Sequence, residues 1–249
     1  MAKNKTGADS HVISSVLTFF AIILIHTFAS GEDPGHHHGN PGTMASMWEG
    51  SPQGKAYSEF NHHIAGVFVI LIALSEFLTL AKSLAWIRFL LPVAMLAAGS
   101  YLIIWSDHDA WPIGPRGIAD TFFVGAWETI QHKVYAILLL AVRSIELLRR
   151  LGRIRLTVWS VPLPVFAIAG GMMLFLHSHG PHPSAHTIVL HHTVMGTMAV
   201  AAGICKLIGD NSRRLSHPDQ ATSQTRNAWE FAWASFILFI GLQLIIYTE

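Results

Sequence analysis

The sequence predicts an all-α fold, a polytopic membrane helix bundle of about seven transmembrane helices with internally repeated helical hairpins. Composition, apolar segment length and an internal repeat carry that prediction. Of 249 residues, 51% are hydrophobic and 12% charged, against about 25% charged in an ordinary soluble domain. Mean hydropathy is +0.43. Seven apolar stretches, near 11–29, 58–80, 84–105, 128–150, 157–177, 186–208 and 228–247, suit helices of about 20 residues. Lipid cannot satisfy free backbone groups, so an open chain must cross it as helix.

The first stretch follows Lys3 and Lys5 and ends in the small residues of "HTFAS". A cleaved signal peptide has the same pattern; a retained helix over residues 1–30 is the reading adopted. Residues 31–57 contain "GEDPGHHHGNPGTMASMWEG", rich in Gly and Pro and without periodicity, hence an extracytoplasmic loop. Its His36, His37, His38, Met44 and Met47 are generic metal attractors. Residues 58–249 supply six helices of one membrane bundle. Lys82 and Arg88, the run Arg149 to Arg155, and Lys206 to Arg226 fall on alternate connections and share a side with Lys3 and Lys5. The positive-inside rule places them in the cytoplasm, with the N-terminus in and the C-terminus out. Trp105, Trp111 and Trp127 mark the outer interface on the third connection, where Asp107 and His108 are candidate site residues and Asp120 is a solvated rim.

On this topology only His11 and His217 of the 16 histidines lie inside. The others, among them His62, His63, His108, His132, His177, His179, His186, His191 and His192, gather at the outer face. Any one of them could simply snorkel to headgroups. Their segregation points instead to one outward-facing site.

"NHHIAGVFVILIALSE", "QHKVYAILLLAVRSIE" and "HHTVMGTMAVAAGICK" align without gaps on His62, His132 and His192. Gly66, Ala136 and Gly196 follow one turn later; Glu76, Glu146 and Lys206 follow further on. "GSYLIIWSDHDAWP" and "GGMMLFLHSHGPHP" echo each other before two of the repeats. Helical hairpins are therefore expected to be duplicated, with the three histidines converging at one depth. The small residues would admit either another helix or a flat ligand.

In the last repeat His191, Met195, Met198 and Cys205 fall within roughly 80° on one helical face. Imidazole suits Cu(II) and Zn(II), while thioether and thiolate select Cu(I), so the stripe has the chemistry of a graded copper path. Methionine at this spacing also fills cores. A single cysteine excludes a disulfide framework or a thiolate cluster within one chain. The net charge of +1, with basic residues scattered over short loops, argues against a nucleic-acid partner. No hydrolytic triad, Walker loop, dinucleotide turn or H-E-x-x-H helix is present, which favours a transporter or metal-binding protein over an enzyme.

"IIWSDHDAWPIGP" followed by "ETIQHKVYAILLLAVRSIELL", and later "LFLHSHG" with "LHHTVMG", resembles the copper-resistance protein D family over about residues 60 to 210. The resemblance implies a copper export or uptake protein of the bacterial inner membrane that handles copper at its periplasmic side. With no soluble copper-binding domain in the sequence, a separate periplasmic copper-binding protein is the implied partner. The alternative is a b-type cytochrome linked to quinol oxidation, its haem held by two of His62, His132 and His192.

Overall fold

A computed structural model describes residues 51–81, 84–176, 185–215 and 220–248, the side chains of 185, 212–215 and 220–226 excepted. The expected helix at 11–29, residues 31–50 of the expected loop with its His and Met residues, and His177 and His179 lie outside the described residues; residues 52–57 of that loop are helical instead. Among those described, helix is the only regular structure.

Helix α1 spans Pro52–Leu80, starting before the apolar stretch does. Ser51 caps it, its side-chain oxygen accepting the Gly54 amide at 3.1 Å, and Pro52 takes the first helical position. Serine then proline is the arrangement that satisfies orphan amides and presets φ. Helix α2, Leu90–Trp105, follows a single 3-10 turn. The short α3, Ile118–Phe123, lies in the third connection. Helices α4 (Trp127–Arg150), α5 (Pro162–Leu176), α6 (Ala185–Leu215) and α7 (Gln220–Ile245) complete the chain.

Five segments are long and apolar enough to cross a membrane: Pro52–Leu80, Ala85–Trp105, Thr157–Leu176, His186–Asn211 and Asn227–Ile245. The chain is thus a multi-pass membrane protein by length and composition. The expected count of seven is not reached among the described residues. Helix α4 is long enough, with 24 residues, but carries Glu128, Lys133, Arg143, Glu146, Arg149 and Arg150. Several of these face the interior: Lys133 and Glu146 are buried, where they find partners in the protein.

The six long helices close into a ring, in which α1 packs on α2, α2 on α4, α4 on α5, α5 on α6, α6 on α7, and α7 back on α1. Ala73, Leu91, Met95, Leu139, Val142, Met195, Ala202, Cys205 and Trp233 fill its core. At the crossings, backbone meets backbone. A methyl on Gly66 would come within 2.9 Å of the Gly241 carbonyl oxygen and 3.0 Å of the Ile245 nitrogen. One on Gly171 would meet the Gly196 carbonyl oxygen at 2.6 Å, and one on Gly196 that of Gly171 at 2.7 Å. Gly99 sits against Leu140 and the Ala136 carbonyl. Gly66, Ala136 and Gly196, each one turn beyond an aligned histidine, therefore all lie at helix crossings.

Because the atoms opposing Gly66 are backbone, Gly66→Leu cannot be absorbed by a rotamer change. Overpacking of this kind costs about 1–3 kcal/mol or more. Thermal unfolding in detergent is expected to show a clearly lowered midpoint for Gly66→Leu and little change for Gly117→Ala, whose added methyl would meet nothing closer than 3.8 Å. Equal midpoints would remove the crossing from the stability of the bundle.

Candidate functional site

At one end of the bundle α1, α6, the end of α7 and the chain just beyond it bring together His62, His63, His191, His192, Gln243 and Tyr247. His62 Nδ1 lies 2.8 Å from the Ser58 carbonyl oxygen one turn back. A carbonyl can only accept, so Nδ1 carries the proton and the lone pair resides on Nε2. That is the tautomer a metal-ligating histidine adopts when its other nitrogen is anchored to a backbone carbonyl. The ring centres of His62 and His192 are 6.2 Å apart, with planes 35° from parallel. His192 is buried.

Tyr247, just beyond α7 and fully buried, lies against three of these histidines. Its ring stacks on His62 at 3.9 Å and 18° and stands 5.1 Å from His191. His63 Nε2 donates to its carbonyl oxygen at 2.9 Å. Gln243 contacts His191 twice, its amide nitrogen 3.3 Å from Nδ1 and 3.2 Å from the carbonyl oxygen.

The expected threefold convergence becomes a pair, because His132 is committed elsewhere. Its Nδ1 lies 3.1 Å from Asp107 Oδ1. Lys133, fully buried, places Nζ 3.2 Å from Asp107 Oδ2, 2.9 Å from the Ile103 carbonyl and 3.3 Å from Ser106 Oγ. Ser106 also donates to Asp107. Burial would raise the Asp107 pKa, but the charges and hydrogen bonds of His132, Lys133 and Ser106 outweigh it and hold the carboxyl below its ordinary value. Asp107, His132 and Lys133 thus form an ion-paired cluster separate from the His62–His192 pair. His108 is exposed, 5.8 Å from the Tyr57 ring, and His186 is exposed at the head of α6. Among the described residues, no group of three or more His, Cys, Asp or Glu is placed to hold a metal ion.

The soft stripe turns inward as its periodicity requires. Met195 and Cys205 are buried in the apolar core and Met198 packs against it. The small residues beside the histidines do not open a slot for a flat ligand, since Gly241 and Gly171 occupy the space at Gly66 and Gly196.

A second polar assembly lies at the other end, about 20 Å away at 1.5 Å per residue. Glu76, Glu146 and Lys206, the equivalent positions of the repeat, meet there in one network. Arg150 Nη2 is 2.8 Å from Glu76 and its Nε 3.7 Å from Glu146; Arg149 also pairs with Glu146. Lys206 Nζ is 2.6 Å from Glu230, 3.7 Å from Asp210 and 3.9 Å from Glu76. The network ties α1, α4, α6 and α7. Sequence reasoning missed Glu230 and Asp210 as members, although an acid inside the apolar pattern of α7 is itself a signal. It also missed Tyr247 and Gln243, which become site residues only when α7 returns beside α1.

Comparison with family models, with curated proteins and with solved structures finds no match for the chain.

Removing one member of a buried ion pair strands the other, at about 3–5 kcal/mol. Lys206→Met is therefore expected to lower the unfolding midpoint in nanodiscs strongly, and Lys206→Met combined with Glu230→Gln to recover part of the loss. A double variant no better than the single one would show that Glu230 is not the main partner.

Proposed function

We propose that the chain is a copper-binding, copper-transporting protein of the bacterial inner membrane, with its N-terminus inside and the His62–His192 pair receiving the ion at the outer face. The observation that carries this reading is the pair itself: two imidazoles from different helices, one with its tautomer fixed by Ser58, with ring centres 6.2 Å apart. Half of that spacing is 3.1 Å. A metal–nitrogen bond of about 2.0 Å plus about 1.1 Å from nitrogen to ring centre would fill it with a nitrogen of each ring turned to the midpoint. The segregation of histidines to one side and the resemblance to copper-resistance protein D sequences support the same reading. A separate periplasmic copper-binding protein would deliver or receive the ion. The three aligned crossings at Gly66, Ala136 and Gly196 support duplicated hairpins as the frame of the site.

Haem b between the same rings is the second reading, because axial ligation needs a similar spacing. It also needs a wide clear plane around the iron. Helix backbone fills the space beside Gly66 and Gly196, and Tyr247 lies on His62, which favours a bare ion. The absorption spectrum and metal content of purified protein separate the two. Copper without a Soret band is expected, and His62→Ala or His192→Ala should reduce copper to background. A Soret band lost in the same variants would establish the cytochrome instead.

Inward passage is assigned to Met195, Met198 and Cys205, whose sulfur atoms suit Cu(I). Leucine in place of methionine conserves volume and costs under about 1.5 kcal/mol. Copper flux into proteoliposomes is expected to fall in the Met195→Leu/Met198→Leu double variant while binding at the outer pair persists. Undiminished flux would return these residues to core packing.

A further inference from the structure

We infer that the connection between α2 and α4 is a lipid-inserted segment: the apolar face formed by Ile113, Ile118, Phe122, Phe123 and Val124 lies in the interfacial layer of the bilayer at the histidine-bearing end of the bundle. Phe123 is 86% exposed, Val124 68%, Ile118 55% and Ile113 51%. So many large apolar groups in so short a stretch are poorly hosted by water and mark a contact surface.

Depth identifies lipid as the partner. The connection begins just after α2, and Asp107 at once meets His132 and Lys133 in the second turn of α4. At 1.5 Å per residue, His132 lies about 8 Å inside Trp127, the first residue of α4. The segment therefore climbs the flank of α4, against which α3 packs, instead of rising clear of the bundle. One interfacial layer of a bilayer is about 5–8 Å thick, so this climb stays within or beside it. Trp105 and Trp127 stand at the two ends of the connection, where aromatic residues mark the membrane interface. A protein docking on this face would have to displace headgroups that are already there.

Helix α3 has the matching pattern. At about 100° per residue, Ile118, Ala119, Phe122 and Phe123 share an arc of about 140°, with Asp120 and Thr121 to either side of it. Thr121 is fully buried and its hydroxyl accepts the Trp111 amide at 3.0 Å, while Asp120 is exposed. One sector thus faces the segment's own core, one faces water, and the broadest is apolar, as in helices that lie in the interface plane.

The face is also pre-organised. The Gly114 amide donates to the Ala110 carbonyl at 2.8 Å and the Arg116 amide to the Asp109 carbonyl at 3.2 Å. Arg116, the single Lys or Arg between Ser106 and Ala126, places its guanidinium 2.7 Å from the Asp109 carboxylate. With that cation engaged by an acid of the same segment, insertion is driven by apolar burial, and zwitterionic lipid serves as well as anionic lipid. The same segment carries Asp107, so its seat in the interface also steadies the acid that holds His132 and Lys133.

The test places nitroxide labels at Ile118→Cys, Phe123→Cys and Asp120→Cys in the full chain, reconstituted in nanodiscs of phosphatidylcholine alone or mixed with phosphatidylglycerol. The unsubstituted chain, whose Cys205 is buried, supplies the labelling background. Power saturation compares collisions with oxygen, which partitions into lipid, and with a water-soluble nickel chelate. Labels at 118 and 123 are expected to meet oxygen several-fold more than chelate, the label at 120 the reverse, and both lipid mixtures to agree. Relaxation by spin-labelled lipids should place the label at 123 about 5–10 Å below the headgroups. Phe123→Asp with Val124→Asp should admit the chelate to the label at 118, with a melting curve establishing that the variant is folded. Chelate reaching 118 and 123 as readily as 120 would overturn the inference, as the face would then stand in water. Exclusion of both reagents would overturn it equally, because protein would then cover the face, and spin–spin broadening between chains would identify a second copy. Insertion only in the presence of phosphatidylglycerol would overturn its apolar basis.

Discussion

Backbone contact between helices at single small residues is the constraint on which the rest of this structure depends. Lipid gives apolar helices no hydrophobic reason to associate, so close van der Waals packing must hold them. Here the closest approaches are Gly66 against Gly241 and Gly171 against Gly196, where an added methyl would come within 3.0 Å of carbonyl oxygen. The aligned histidines stand one turn away on the same helices. Their depth and direction are therefore set by packing that involves none of their own atoms.

The two polar ends of the bundle solve burial differently. At the histidine-bearing end imidazoles are paired with carbonyls, an amide and an aromatic ring, and Asp107 gathers His132 and Lys133 into a charged group beside the Arg116–Asp109 ion pair. At the other end Glu76, Glu146, Asp210 and Glu230 meet Arg149, Arg150 and Lys206. Ion pairs of this kind add little stability over a packed apolar seam, because desolvation offsets most of the attraction. Their geometric effect is larger: Arg150 reaches two acids and Lys206 three, so four helices are placed relative to one another by directional contacts.

Much of the fold was legible because its determinants are local. Apolar length located α1, α2, α5, α6 and α7, and the repeat singled out the residues that meet at the crossings and in the ion network. Helix α4 was legible as a helix but the burial of its charges was not, since Lys133 and Glu146 depend on Asp107 and on Arg149 and Arg150. The early start of α1 follows from Ser51 and Pro52, a cap and first-turn proline that precede the apolar run. The candidate site was half legible. His62 and His192 stood out from spacing, but the diversion of His132 required knowing that Asp107 folds back onto α4. Tyr247 had no signal, because its role depends on a contact spanning 184 positions, between His63 and its own carbonyl.

That long contact also explains why the pair can exist. Helices α1 and α6 are not sequential neighbours in the ring; each packs on α7, and the end of α7 carries Tyr247 between their histidines. The 6.2 Å between His62 and His192 is thus maintained through a third element rather than by direct packing. A bound ion would add a direct link between α1 and α6 at this end, as Lys206 and Glu76 do at the other, and any ligand that binds only the folded state stabilises it in proportion to the logarithm of its concentration over its dissociation constant. Stability gained on metal binding should therefore appear at the α1–α6 junction, while the Gly66–Gly241 and Gly171–Gly196 crossings, already closed, should be indifferent to it.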